Sequence, residues 1–279
     1  MGRAVLFGCG AASSVFLGLV WVGLPTAFPP PARGTGPTLR VAVANLAYDN
    51  DRALELTAVL RRIDPDVLVA LEWTGSNLDL DTIAASERRI ALDARRPAPH
   101  GVLVLTRRGL AGEVALAPSP VPGPCAMPVA TLRLPRGDRF VSLLGVHAPP
   151  PLPECEATNE PTLRYLADQI DAGRLRRPIG AAATSDPLIL AGDLNATPGS
   201  PGITRLRRGL LDAQRHRSWL PAGTWLPRDG PRLSFERIDY VLLAREIPLE
   251  GAWTVDLPGS DHRALVVDIG PLPGRDGER

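Results

Sequence analysis

The chain is 279 residues long, 44% of them hydrophobic and 22% charged, with a formal net charge of +1. These proportions are those of a folded protein and exclude a chain too polar to build a core. The near-zero balance leaves no overall basic field that would advertise nucleic acid, and no acidic excess that would argue against it.

All 31 basic residues are arginine. Arginine makes bidentate phosphate contacts that lysine does not. The 30 prolines and 27 glycines, however, point to a compositional bias of the whole sequence. Arginine usage therefore assigns no partner.

From Ala4 to Ala32 no side chain is charged, and Ala4–Phe28 is strongly apolar apart from Ser13, Ser14 and Thr26. At about 1.5 Å per residue this run can cross a hydrocarbon core of ~30 Å as a helix. Trp21 suits the far interface, and Arg3 with the terminal amine supplies a positive flank. A buried core helix is one alternative, and a cleaved signal peptide is the other. Its apolar core would be only about 7–15 residues long, and Pro25-Thr26-Ala27 puts proline at the −3 position. Too few apolar residues precede Cys9 for a lipoprotein signal. Residues 1–30 are therefore expected to be an uncleaved membrane anchor holding an extracytoplasmic domain, which would be secreted if the segment were cleaved. Residues 31–38, rich in Pro and Gly, read as a stiff linker.

Beyond it, roughly 240 residues remain, enough for one compact domain with a sizeable core. Leu39–Leu46 is a short apolar run expected to be a buried strand. Ala53, Leu56, Val59, Leu60 and Ile63 fall at helical spacing, which predicts an amphipathic helix over Arg52–Arg62. Asp64-Pro65 stops it, and Val67–Leu71 and Val102–Thr106 follow as strands. Pro128–Leu134 and Phe140–Ala148 read as strands joined by a Pro135-Arg136-Gly137-Asp138 turn. Leu163, Leu166, Ala167 and Ile170 mark a second helix, with Pro161 suited to its first turn. Leu188–Ala191 is a strand, followed by a short helix carrying Ile203, Leu206 and Leu210. Ile238–Leu243 and Ala264–Ile269 close the series; the Pro-rich stretches 118–124 and 149–153 are loops, and residues 271–279 read as a disordered tail. Many short strands with few helices predict an α/β fold over residues 39–270, with two packed sheets and helices outside.

If residues 128–148 form a hairpin, Cys125 and Cys155 lie near one another at its open end. A disulfide is then geometrically allowed and would suit an oxidising compartment; two unpaired thiols are the alternative.

The acids and amides fall at strand ends. Asn45 and Glu72 lie near the ends of apolar strands, and Asp193 and Asn195 directly follow Leu188–Ala191. Asp239 sits within Arg237–Leu242, and Asp261-His262 precede the last strand. Singly each has an ordinary reading: a Gly-Asp turn, a loop amide, or an Asp239 paired with Arg237. Together, ionised groups at neighbouring strand ends make an oxygen-rich cluster of the kind hard divalent cations prefer.

The same stretches carry a family resemblance. Pro65–Glu72 resembles the strand ending in the metal-binding glutamate of the endonuclease/exonuclease/phosphatase superfamily, the DNase I-like enzymes. Leu188–Pro198, with Gly192-Asp193-Leu194-Asn195, is similar to its Gly-Asp-Phe/Leu-Asn motif. Arg237–Tyr240 and Gly259–Arg263 resemble its two C-terminal motifs, Gly145–Pro149 its strand-end histidine motif, and Asn45 its first-strand asparagine. The resemblance implies a four-layer α/β sandwich, two mixed sheets flanked by helices, with one N-terminal transmembrane helix ahead of it here. It implies a Mg²⁺- or Mn²⁺-dependent phosphoesterase, with Asn45, Glu72, Asp193, Asn195 and Asp261 around the metal. His147, Asp193, Asn195, Asp239 and His262 are the implied catalytic groups, with Asp239 holding His262. The DNase-like form of the His147 motif makes nucleic acid the expected substrate, acted on by a monomer with no protein partner indicated. A phospholipid or phosphoinositide esterase, aided by Trp219, Trp225 and Trp253, and a catalytically silent binding domain are the alternatives.

His100 and His216 lie outside these motifs and are expected in a solvated loop and on the surface. The arginine clusters 174, 176, 177 and 205, 207, 208 could meet a polyanion, but solvated helix ends are their commoner meaning.

Overall fold

The computed structural model describes residues 38–84, 88–94, 99–110, 112–123, 125–173, 186–217, 223–226 and 236–272. The expected anchor at 1–30, nearly all of the linker and tail, Arg174, Arg176, Arg177 and Trp219 lie outside them. Among the described residues no helix is long and apolar enough to cross a membrane.

In chain order the elements are β1 (Leu39–Asn45), α1 (Ala53–Ile63), β2 (Val67–Leu71), α2 (Leu80–Ala84), β3 (Arg88–Ala94), β4 (Val102–Arg107), β5 (Glu113–Ala117) and β6 (Val129–Arg136). There follow β7 (Arg139–His147), α3 (Glu156–Asp171), β8 (Leu188–Asp193), α4 (Pro201–Gly209), β9 (Leu210–Asp212), α5 (Ala213–Arg217), β10 (Asp239–Ala244), β11 (Leu249–Asp256) and β12 (Arg263–Ile269). Two six-stranded sheets result, ordered β11-β12-β1-β2-β4-β3 and β5-β6-β7-β8-β10-β9. Each is mixed: β1 pairs parallel with β2 and β7 parallel with β8, inside otherwise antiparallel sheets.

Strand alternation packs the sheets together. In β1, Leu39, Val41 and Val43 enter the core shared with the second sheet. Ala42 and Ala44, from the opposite face of the pleat, pack with Leu56, Val59, Leu60 and Ile63 of α1. The outer face of the second sheet is covered by Leu163, Leu166, Ala167 and Ile170 of α3 and by Ile203 and Leu206 of α4. Local chemistry fixes the helix ends. Asp64 ends α1 in the left-handed conformation at φ 52°, its N–H donating to the Leu60 carbonyl. At α4, the Ser200 hydroxyl accepts from the Ile203 N–H and Pro201 occupies the first turn.

Two expectations are corrected. Pro161 lies inside α3, which already begins at Glu156, so the proline removes one backbone donor from the helix interior. Leu210 is not on a helix but caps α4 in an extended conformation and opens β9.

The register gathers the functional ends. Asn45 stands opposite Leu71, His147 opposite Asp193, and Asp193 opposite Asp239. The C-terminal ends of β1, β2, β7 and β8 therefore meet the start of β10 at one rim.

Candidate functional site

Asn45 joins the two sheets. Its Nδ2 donates to Glu72 Oε1 at 3.0 Å and to Asp193 Oδ2 at 3.2 Å. The other Glu72 oxygen accepts from the Tyr48 backbone N–H at 2.9 Å. Burial is the leading cause that raises the Glu72 pKa, and the nearby Asp261 disfavours its ionisation further. Asp193, fully enclosed, is pushed up to about 7 by burial first and then by Asp239.

His262 bridges these acids. Its Nδ1 is 2.9 Å from Asp239 Oδ2, and its Nε2 3.8 Å from Asp193 Oδ2. Burial opposes the imidazolium, but the Asp239 and Asp193 carboxylates outweigh it and raise the pKa to about 10. His147 behaves oppositely. Its Nε2 is also 3.8 Å from Asp193 Oδ2, yet burial, with His262 and His100 nearby, lowers its pKa to about 3. One histidine is thus charged at neutral pH and the other neutral.

The backbone around the site is held under strain. Among the described residues, four non-glycine residues have positive φ: Ala47 (58°), Asp64 (52°), Glu72 (56°) and Asn195 (48°). Asp64 is a helix cap; the other three surround this pocket, where such strain turns a side chain that a regular strand would aim elsewhere. At Asn195 the turn lets the backbone N–H donate to Asp193 Oδ1 at 2.8 Å while its Nδ2 reaches the Ala148 carbonyl at 2.9 Å. Gly192 permits the close approach of β7 and β8: a Cβ there would stand 1.7 Å from the Val146 carbonyl oxygen.

The structure thus brings Asn45, Glu72, His147, Asp193, Asn195, Asp239, Asp261 and His262 to one rim. The expected rival partner of Asp239 is engaged elsewhere: Arg237 bonds both Asp212 oxygens. Arg207 also bonds Asp212 and Arg205 pairs with Asp168, so this arginine group is largely consumed by the fold. His216 is exposed and His100 lies in a loop, as expected, but His100 is half-buried and near His147. Two supporting residues went unread in the sequence. The Ser260 hydroxyl donates to the Asn45 carbonyl at 2.8 Å and accepts from the His262 N–H at 3.0 Å. The Thr224 hydroxyl accepts from the Ile238 and Asp239 N–H groups, each at 3.0 Å. Ser260 lay within a recognised motif; Thr224 had no signal of its own.

This donor set fits a hard divalent cation. Side-chain atoms of Asp193, Asp239 and His262 lie within 4.8 Å of one another, and Asp239 Oδ1 is buried without a hydrogen-bond partner; the charged His262 has no lone pair to give, so the carboxylates are the donors. With Glu72 and Asp261 the rim holds more acid than the single charged imidazole offsets, and oxygen donors suit Mg²⁺ or Mn²⁺.

The profile of the Endonuclease/Exonuclease/phosphatase family matches residues 42–262. No curated protein sequence matches. Among solved structures, truncated Caenorhabditis elegans TDP2 superposes with a TM-score of 0.65 at 17% identity, over 84% of this chain and 98% of its own. D. rerio TDP2 complexed with single-strand DNA product gives 0.66 at 12%, over 84% and 99%. An endonuclease/exonuclease/phosphatase from Beutenbergia cavernae gives 0.63 at 22%, over 85% and 72%. At these identities the likeness is one of fold.

Proposed function

The chain belongs to the endonuclease/exonuclease/phosphatase family, a family of phosphoester hydrolases, and from that membership we propose that it is a divalent-metal-dependent phosphodiesterase acting on nucleic acid. The observation carrying the hydrolase reading is the Asp193–His262–Asp239 constellation beside Glu72. Glu72, with Asn45 and Asp261 beside it and Asp193 and Asn195 completing the set, would hold Mg²⁺ or Mn²⁺. When bound, the cation compensates the anionic phosphate and orients it for attack.

The protein groups divide the remaining work. Asp193, buried at the centre of the site, takes the proton of the attacking water as the new P–O bond forms. The second N–H of the Asn195 carboxamide, whose first bonds the Ala148 carbonyl, and the His262 imidazolium would donate to the phosphoryl oxygens as negative charge builds up. His262 delivers its proton to the leaving oxygen as the old P–O bond breaks, and Asp239 keeps its ring in line. His147, enclosed with its Nε2 3.8 Å from Asp193 Oδ2, lines the pocket as a polar wall.

Nucleic acid is favoured by Trp225, which bridges backbone to His262 and remains 37% exposed at the rim. An exposed tryptophan whose backbone adjoins His262 is a candidate surface for stacking a base. Trp253 lends no such support to a lipid substrate, since it lies half-buried beneath the Arg40 guanidinium. The proposal includes an uncleaved anchor over residues 1–30, a domain outside the cytoplasm and a monomeric enzyme. The Cys125–Cys155 disulfide supports the oxidising compartment.

The test is an activity panel on the full-length chain with Mg²⁺ or Mn²⁺, covering DNA, RNA, phospholipid vesicles and soluble phosphate esters. Glu72→Gln, His262→Ala and added EDTA are the controls. Control-sensitive cleavage of DNA or RNA is expected. Turnover of vesicles alone would move the substrate to lipid head groups. Absence of both turnover and calorimetric cation binding would leave a silent binding domain.

A further inference from the structure

Two chain segments leave the site side by side and must keep their spacing. Ala148–Pro149 follows His147 at the end of β7, and Leu194–Asn195 follows Asp193 at the end of β8. One side chain from outside both spans them. Asn159, on α3, directs its Nδ2 at the carbonyls of Pro149 (2.6 Å), Leu194 (3.1 Å) and Asn195 (3.4 Å). Its two N–H donors thus serve acceptors on both segments.

The element carrying Asn159 is itself tied down. The Cys125–Cys155 disulfide lies at the start of α3, and the Thr158 hydroxyl donates to the Cys155 carbonyl at 2.6 Å. On the following turn α4 packs hard against α3. A Cβ at Gly202 would stand 2.5 Å from Leu163 Cβ, and the Gly202 N–H donates to Glu160 at 3.0 Å. A helix clamped at both sides makes a rigid reference, and Asn159 transmits that reference to the two segments.

We propose that Asn159 is a positioning residue of this site: its carboxamide fixes the segment after His147 against the segment after Asp193, setting where His147, Asp193 and Asn195 stand relative to one another. The inference rests on the hydrolase reading above. Asn159 touches no reacting group. It acts through the left-handed turn at Asn195, whose N–H bonds Asp193 and whose side chain bonds Ala148. Removing the staple frees that turn to relax, and a shift of about 1 Å at a reacting group costs about 10²-fold in rate.

The test compares full-length wild type with Asn159→Ala and with Asn159→Asp, which keeps the shape but loses the donors. With bis(p-nitrophenyl) phosphate and Mn²⁺, well below the melting temperature of every variant, kcat should fall roughly 10- to 100-fold in both, with KM within about twofold. A purely structural role would lower the melting temperature and leave kcat of the folded enzyme unchanged. Amide hydrogen exchange gives a readout independent of turnover, with the Asn195 N–H exchanging faster in both variants. Wild-type kcat in the two variants, or unchanged exchange at Asn195, overturns the proposal. If wild type itself shows no metal-dependent turnover of any ester, the hydrolase reading fails separately, and exchange at Asn195 still decides whether Asn159 holds the two segments.

Discussion

Asp193 and Asp239 are register partners across the antiparallel strands β8 and β10, two buried carboxylates side by side with His262 reaching both. Their repulsion helps raise Asp193 to about 7, and their combined attraction raises His262 to about 10. Asp239→Asn removes one charge from each balance. In the metal-free protein the His262 titration, followed by nitrogen NMR, should fall from about 10 toward its ordinary 6.5. Because the folded pKa exceeds the unfolded one, the His262 contribution to stability is full below pH 6.5 and lost as pH rises through about 10. The variant should therefore lose less stability than wild type across that window. Phosphodiesterase turnover at neutral pH should drop by roughly 10²- to 10⁴-fold. An unmoved His262 titration would refute this electrostatic account.

What the sequence made legible follows from how deeply each strand lies. Leu39–Leu46, Val67–Leu71, Val102–Thr106 and the other apolar runs correspond to strands flanked on both sides by neighbours. The strands it missed, β3, β5, β9 and β11, are the four sheet edges. Edge strands carry mixed, half-exposed side chains, as in the Glu113–Ala117 and Leu249–Asp256 patterns, so neither a continuous apolar run nor clean alternation marks them. The acids and histidines of the rim could be read because each lies at, or beside, one end of a buried strand. Thr224 and Asn159 could not, since a hydroxyl or amide that serves backbone groups on remote segments leaves no local pattern. His100 does lie in a loop, as expected, but half-buried, because folding brings His147 near it.

Behind the rim, Asp212 lies between Arg237 and Arg207, bonded by both. Burial opposes its ionisation, but the two guanidiniums prevail and hold its pKa below the usual carboxylate range. A depressed folded pKa stabilises above the unfolded value, about 3.9, and that stability is lost as pH falls through the folded value. Asp212→Asn leaves Arg237 buried without its counter-charge and should cost about 3–5 kcal/mol at pH 7. Urea unfolding at pH 7 and in acid should give a gap between wild type and variant that narrows in acid. A gap independent of pH would exclude the charge explanation.

Gly192 tests how strictly the sheet geometry sets the site. An alanine Cβ would stand 1.7 Å from the Val146 carbonyl oxygen, in backbone rather than in a movable side chain. Relief requires β7 and β8 to separate where His147 and Asp193 are register partners. Gly192→Ala should destabilise by more than about 4 kcal/mol, beyond the ordinary range for a single substitution. A melting temperature equal to wild type would show that the two strands are not held so closely.

Trp225 discriminates among substrates. Its backbone bridges to Glu236 on one side and to the charged His262 on the other, which anchors the chain, and the residue is 37% exposed. A base stacked on an aromatic ring contributes about 1–3 kcal/mol per base. Trp225→Ala should therefore raise KM for a single-stranded oligonucleotide by roughly 5- to 160-fold while leaving kcat nearly unchanged, since stacking acts before and during reaction alike. Hydrolysis of bis(p-nitrophenyl) phosphate, which presents only small rings, should change far less. Equal KM increases for the two substrates would mean that Trp225 shapes the pocket as a whole and does not receive a base.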